Sequence, residues 1–180
     1  MPAKFARPIA RSPASDPQQF RVYRMEHEAI GGRHYARLSR TAVVALVRGI
    51  CRNYGVKPPK VGWEDIGRWA AEWREHPSDG EPMIVFSTKK RTARDILTVT
   101  HEVAHHLHYE LSEGKWEDQE NHGPEFMACH MSVLDTIRMI PVCAMRVICD
   151  KWKVRYTDPG STSSLAKLKR IVRGSHRPKH

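Results

Sequence analysis

No two cysteines in this chain are spaced C-x-x-C. The four present, Cys51, Cys129, Cys143 and Cys149, therefore build neither a zinc ribbon nor a thioredoxin-type redox motif. Cys51 and Cys129 fall in helical apolar patterns, where buried thiols of a reducing compartment are found. Long hydrophobic runs are missing as well: none approaches the roughly 18–20 residues that cross a bilayer. The first residues lack the apolar h-region of a secretory signal. A cytoplasmic (intracellular) protein with no membrane partner is the expectation. Internal repeats and low-complexity blocks do not occur. Acids are scarce at both ends, since the first 24 residues set Asp16 alone against Lys4, Arg7, Arg11, Arg21 and Arg24, and no acid follows Asp158.

The remainder suits one domain. A chain of 180 residues, 40% of them hydrophobic, is long enough to bury a core without disulfide or metal staples. Its mean hydropathy of −0.58 reflects a charged surface. Residues 1–19 carry Pro2, Pro8, Pro13 and Pro17 and are expected to form a flexible basic arm. Residues 20–157 are expected to form the folded domain, and 158–180 a flexible basic tail with Lys167, Lys169, Arg170, Arg173, Arg177 and Lys179. A net charge of +10, concentrated at such ends, favours contact with phosphate backbones through counterion release. Nucleic acid is thus a candidate partner through the termini.

Hydrophobic periodicity orders the domain. Over 39–54, Val43, Leu46, Val47, Ile50 and Tyr54 fall on one helical stripe that Gly55 ends. After Pro58-Pro59 come three strand candidates: Lys60 to Trp63, Arg68 to Arg74, and Pro82 to Ser87, whose Met83-Ile84-Val85-Phe86 is the strongest strand signal in the chain. The second could also be helical, but the alternation of Trp69, Ala71 and Trp73 favours a strand, and 77–82 then makes a hairpin loop. From Thr92 to about Ser112 the period is helical. Pro124 suits a first helical residue, starting a helix to about Met139, and another is expected over Val142 to Val154. Helix, small sheet, helix, loop, helix, helix is an α+β order.

The chemistry concentrates in TVTHEVAHHLHYELSEGKWEDQENHGPEF, Thr98 to Phe126, which holds five of the eleven histidines. His101-Glu102-Val103-Ala104-His105 is an H-E-x-x-H sequence inside the predicted helix. Positions i and i+4 lie on one helical face a turn apart, so two imidazoles can converge on one Zn²⁺. Glu102 follows the first ligand directly and can lie beside the metal, where it takes a proton from an acidified water. The alternative is a surface helix with solvated histidines. Against it stands the apolar surround, in which His101, Glu102 and His105 would be costly without partners. A catalytic zinc needs a third protein ligand. His108 is too far along a straight helix axis from His105, and His106 points elsewhere. That leaves His122 or a carboxylate among Glu117, Glu120 and Glu125.

HEVAHHLHY followed by a polar loop and HGPEF resembles the SprT-like/Spartan zinc metalloprotease family, and small actinobacterial and phage-type proteins with the same core. The resemblance implies a compact zincin-like α+β core with a small three-stranded meander, a motif helix and a third-ligand helix. It implies His122 as the third Zn²⁺ ligand beside His101 and His105, with Glu102 as the catalytic base. Gly123-Pro124 would turn His122 back toward the motif helix, and Glu125 reads as a first-turn acid favoured by the helix dipole. The C-terminal zinc ribbon of many relatives is missing.

The expected function is therefore a zinc-dependent metallopeptidase that hydrolyses peptide bonds of a protein or peptide substrate through a metal-activated water. The family and the basic ends together suggest DNA-associated proteins as substrates. Two alternatives stand beside it: a metallohydrolase on a non-DNA substrate (cell-wall or phage maturation), and a DNA-binding or assembly protein with a structural zinc. Strand addition along the edge of the small sheet, at Pro82 to Ser87, is the expected mode of peptide alignment. The tryptophans are expected in packing roles, with Trp116 the one to watch in the polar loop. Tyr109 lies off the His101 phase and is left without a role, while Met127, Met131 and Met139 are expected to fill the core.

Overall fold

Gln19–Ala29, eleven residues that the hydrophobic pattern does not single out, form the first helix, α1. They belong to a computed structural model that describes residue 16 and residues 18–29, 37–75, 80–112 and 121–159. Val22, Met25 and Glu26 are the buried residues of α1. This i, i+3, i+4 stripe is short and ends in a carboxylate, which hides it from a purely apolar pattern.

Helix α2 (Arg40–Asn53) follows the expected stripe, burying Val43, Val47, Ile50 and Cys51. Ser39 caps it, its hydroxyl accepting from the Ala42 N–H at 3.0 Å. Gly55 leaves the helix at φ +66°, a conformation that costs a residue without Cβ nothing. Tyr54 ties α2 to the later core, its hydroxyl 2.7 Å from Ser132 Oγ and 2.8 Å from Thr136 Oγ1.

The strands are β1 (Lys60–Glu64), β2 (Ala71–Arg74) and β3 (Met83–Ser87). β2 and β3 pair antiparallel, with Trp73 opposite Ile84, as a hairpin would. The meander expectation fails, however, because β1 pairs in parallel with β3 and the order is β1-β3-β2. The burial of the strands gives the reason. Ile84, Val85, Phe86 and Ser87 are all buried, whereas no residue of β1 or β2 is, so β3 takes the centre with both edges paired. Pro82 to Ser87 is therefore not a free edge, and the expected peptide alignment there is ruled out.

A 3₁₀ turn (Arg91–Arg94) precedes α3 (Ile96–Leu111), which begins after Asp95 instead of at Thr92. Helix α4 (Pro124–Thr136) has proline in its first turn. It ends three residues before Met139, where Arg138 turns left-handed at φ +56°. Helix α5 (Val142–Trp152) stops at Lys153, φ +53°. The described residues thus form an α+β fold of five helices and one small sheet. α3 packs along α4 and against α2 and β2, while α1 lies on α5.

Val103, Leu107, Phe126, Met127, Met131 and Leu134 are fully buried, and Met139 packs on their edge. Trp63 packs on Phe86 at 5.3 Å and Trp73 on Tyr109 at 5.2 Å, as expected, whereas Trp69 is 42% exposed. Among the described residues no helix is long and apolar enough to cross a membrane. Most of the arm and tail expected at 1–19 and 158–180, and Trp116 with Glu117 and Glu120, lie outside the described residues.

Candidate metal centre

His101 and His105 stand one turn apart on α3, and their Nε2 atoms approach to 3.2 Å. His122 lies just before α4, held by the turn that Gly123 and Pro124 make, and its Nε2 is 3.1 Å from that of His101. The three donor atoms lie within 4.8 Å of one another. Metal–nitrogen bonds of about 2.0–2.1 Å in a tetrahedron separate their nitrogens by roughly 3.3 Å, close to both spacings.

The far side of each ring decides what the near side can do. His101 Nδ1 donates to Glu26 Oε1 at 2.6 Å, with both side chains 8% exposed. His122 Nδ1 donates to the buried Asp16 Oδ2. A carboxylate only accepts, so each Nδ1 carries the proton and each Nε2 presents a lone pair. Two lone pairs aimed at each other across 3.1 Å repel unless a cation sits between them. Carboxylate-backed imidazoles are also how metal sites fix tautomer and ring orientation. The donor set therefore fits a metal ion. Gln18 reinforces the arrangement, donating to the backbone carbonyls of His122 and, at 3.1 Å, Arg155. It also accepts from Arg155 N at 2.9 Å.

Charge follows the same plan. Burial, joined by the neighbouring imidazoles, holds His105 well below the usual histidine range. Burial also lowers His122, against the opposing hydrogen bond to Asp16. His101 feels burial too, but the Glu26 carboxylate outweighs it and lifts the ring to about 8. Glu102 is 7% exposed, and burial raises it to about 7 against the pull of His101 and of a hydrogen bond from the Trp73 backbone. A carboxyl that titrates near neutrality is suited to accept and return a proton.

Phe126 closes the site from below. Its ring, fully buried, lies 4.3 Å from that of His105, 4.9 Å from His122 and 5.1 Å from His101. Tyr23 lies 5.6 Å from both the His101 and His122 rings and is 40% exposed. Burial, and after it the Glu102 charge, push its phenol above the ordinary range. Behind Glu26 lies His130, fully buried, its Nδ1 3.4 Å from Glu26 Oε1 and neither ring nitrogen hydrogen-bonded. Burial lowers it to about 4. Glu26, His101 and His130 make a second group whose donor atoms converge. His101 is common to both groups, which together are buried His/Glu sets able to hold a metal ion.

His108 and Glu125 belong to neither group; Glu125 lies in the first turn of α4. His106 points away and bonds the Lys57 carbonyl at 2.7 Å. Tyr109 is stacked on Trp73. Sequence reasoning missed Asp16, Gln18, Tyr23, Glu26 and His130. One signal was available for Glu26: an acid on the Val22–Met25 stripe needs a buried partner. Asp16 and Tyr23 gave no such signal, because only the docking of α1 brings them to α3. Set against known protein families, curated proteins and solved structures, the chain matches none.

Proposed function

We propose that this protein is a zinc-dependent metallopeptidase similar in plan to the SprT-like enzymes, with His101, His105 and His122 as ligands. The observation that carries the reading is the set of Nε2 atoms converging at 3.1 and 3.2 Å, two of them backed by buried carboxylates, with Glu102 beside them. Three imidazoles leave one position of a tetrahedral ion open, the pattern of catalytic rather than closed structural sites. Bound there, zinc supplies a Lewis acid that acidifies a water and polarises a carbonyl.

The chain's own groups do the rest. Glu102 accepts the proton of the attacking water and later delivers it to the leaving amine nitrogen. Glu26 and Asp16 keep the ligand rings in one tautomer and orientation. Phe126 excludes water from beneath the imidazoles, so the substrate enters from the Tyr23 side. An extended peptide would lie along β2, an outer strand of the sheet that packs on α3, by strand addition. Proteins bound to DNA are substrates that suit the +10 charge, and cleavage compared with and without DNA tests that part.

Metal analysis of wild type beside His122→Ala tests the centre. About one equivalent of zinc is expected in wild type and a large loss in the variant. Unchanged zinc in His122→Ala would remove the ligand assignment. Glu102→Gln should keep its zinc and lose hydrolysis of a quenched-fluorescence peptide library. Full activity in that variant would remove the role of Glu102.

A further inference from the structure

Two unlike aromatic rings lie against the imidazoles. Phe126 is fully buried against all three and offers no room or polarity for a fourth ligand. Tyr23 flanks His101 and His122 at 5.6 Å each and is 40% exposed. Of these two rings only Tyr23 reaches solvent, so a ligand arriving at a held ion from solvent would pass it. An oxygen arriving by that route would meet a phenol.

That phenol is set up to donate. Gln19, one helical turn earlier on α1, gives an amide N–H to the Tyr23 oxygen at 3.1 Å. The Tyr23 proton itself has no acceptor among the described residues. A hydroxyl whose acceptor side is engaged and whose proton is free is a ready donor to a developing negative oxygen. Tyr109, the only tyrosine on the motif helix, cannot serve, since it stacks on Trp73.

We propose that Tyr23 is a catalytic residue, the hydrogen-bond donor to the oxyanion formed from the scissile carbonyl; this rests on the metallopeptidase reading. As the water oxygen bonds to the carbonyl carbon, its proton passes to Glu102 and the carbonyl π pair moves onto oxygen. Tyr23 O–H donates to that oxygen. The pair then returns to re-form C=O, the C–N bond breaks with its electrons going to nitrogen, and Glu102 gives its proton to the amine. Tyr23 keeps its own proton throughout, so no co-reactant is needed.

The test uses the full chain loaded with Co²⁺ in place of zinc, and acetohydroxamate as the probe. Its oxygens occupy the open position, and the visible cobalt bands report binding. Tyr23→Phe removes one hydroxyl, and Tyr109→Phe serves as the control. The expected result is unchanged cobalt affinity in both variants, with acetohydroxamate about 10- to 100-fold weaker in Tyr23→Phe alone, the range for one hydrogen bond to a charged acceptor. Equal hydroxamate affinity in Tyr23→Phe and wild type would overturn the role of Tyr23 and leave the metal centre standing. A wild-type protein that takes up no cobalt would overturn both.

Discussion

Replacing Glu26 tests whether α1 belongs to the proposed metal centre or merely covers it. Its carboxylate receives the His101 Nδ1 proton at 2.6 Å, and both side chains are 8% exposed. Glu26→Gln keeps an acceptor of the same shape and removes the charge. A hydrogen bond to a charged group contributes about 1.5–3 kcal/mol and a neutral one about 0.5–1.5, so the change should cost about 1–1.5 kcal/mol of metal binding, roughly tenfold in affinity. Glu26→Ala leaves a buried N–H with no acceptor and frees the ring to turn. The loss there should reach the upper end of the about 10- to 100-fold seen for partners of metal-ligating histidines.

The assay is competition for zinc against a chromophoric chelator, with the melting temperature of each metal-free variant measured alongside to confirm folding. Glu28→Gln is the control. It lies on the same helix but pairs outward with Lys151 at 2.6 Å and Trp152 Nε1 at 2.7 Å, and it should bind zinc as wild type does. The expected order is wild type, then Gln, then Ala. A folded Glu26→Ala with wild-type affinity would refute the claim that this carboxylate orients the ligand.

Metal-free His101 is lifted to about 8 from an ordinary 6.5, burial being outweighed by Glu26. The stability this gives the metal-free protein is complete below pH 6.5 and lost as pH rises through 8, so its melting temperature should fall across that window. Zinc affinity should rise over the same window, because the ion displaces the proton; a flat affinity profile from pH 6.5 to 8 would contradict this. Burial pushes the thiols of Cys51, Cys129 and Cys149 up to about 12, whereas Cys143 is exposed. Iodoacetamide at pH 8 should label Cys143 quickly and the other three only on unfolding, as peptide mass mapping would show. Chelation of the metal should speed amide exchange in α1 more than in α2, since Asp16 and Glu26 anchor the former to the ligand rings; equal exchange in both would count against that anchoring.

The helices of the core were legible because each carries its own signal. The stripe through Val43, Val47 and Ile50 with Ser39 before it and Gly55 after it needs no tertiary information. Pro124 marks the start of α4 in the same local way. The paired histidines of α3 follow from helical geometry alone. Sheet order is different in kind. A hairpin between β2 and β3 follows from their proximity in sequence, but whether β1 adds beside β2 or β3 is settled by which strand can be buried on both faces. The apolar run Met83-Ile84-Val85-Phe86 carries that information, since a strand without polar alternation suits burial on both faces. Helix α1 was missed because Arg21, Arg24, Glu26, His27 and Glu28 interrupt it, leaving Val22 and Met25 too sparse to register a period.

The centre divides its labour along the chain in a way that bears on the ion itself. All the proposed ligands fall within 101–122, while the groups that orient them, Asp16 and Glu26, come from the N-terminal segment and α1. Buried carboxylates are costly unless a cation compensates them. Here Asp16 and Glu26 are both buried beside imidazoles. Of those rings, burial pushes His122 and His130 down and so disfavours their charged forms. His101 is the exception, lifted by the Glu26 carboxylate beside it. A cation held at the Nε2 vertex would compensate both carboxylates, and its charge would favour the ionised form of Glu102. Among the described residues, Asp16 and Glu26 stand outside the proposed His101, His105 and His122 set, yet both acids lie against its rings and favour a cation among them.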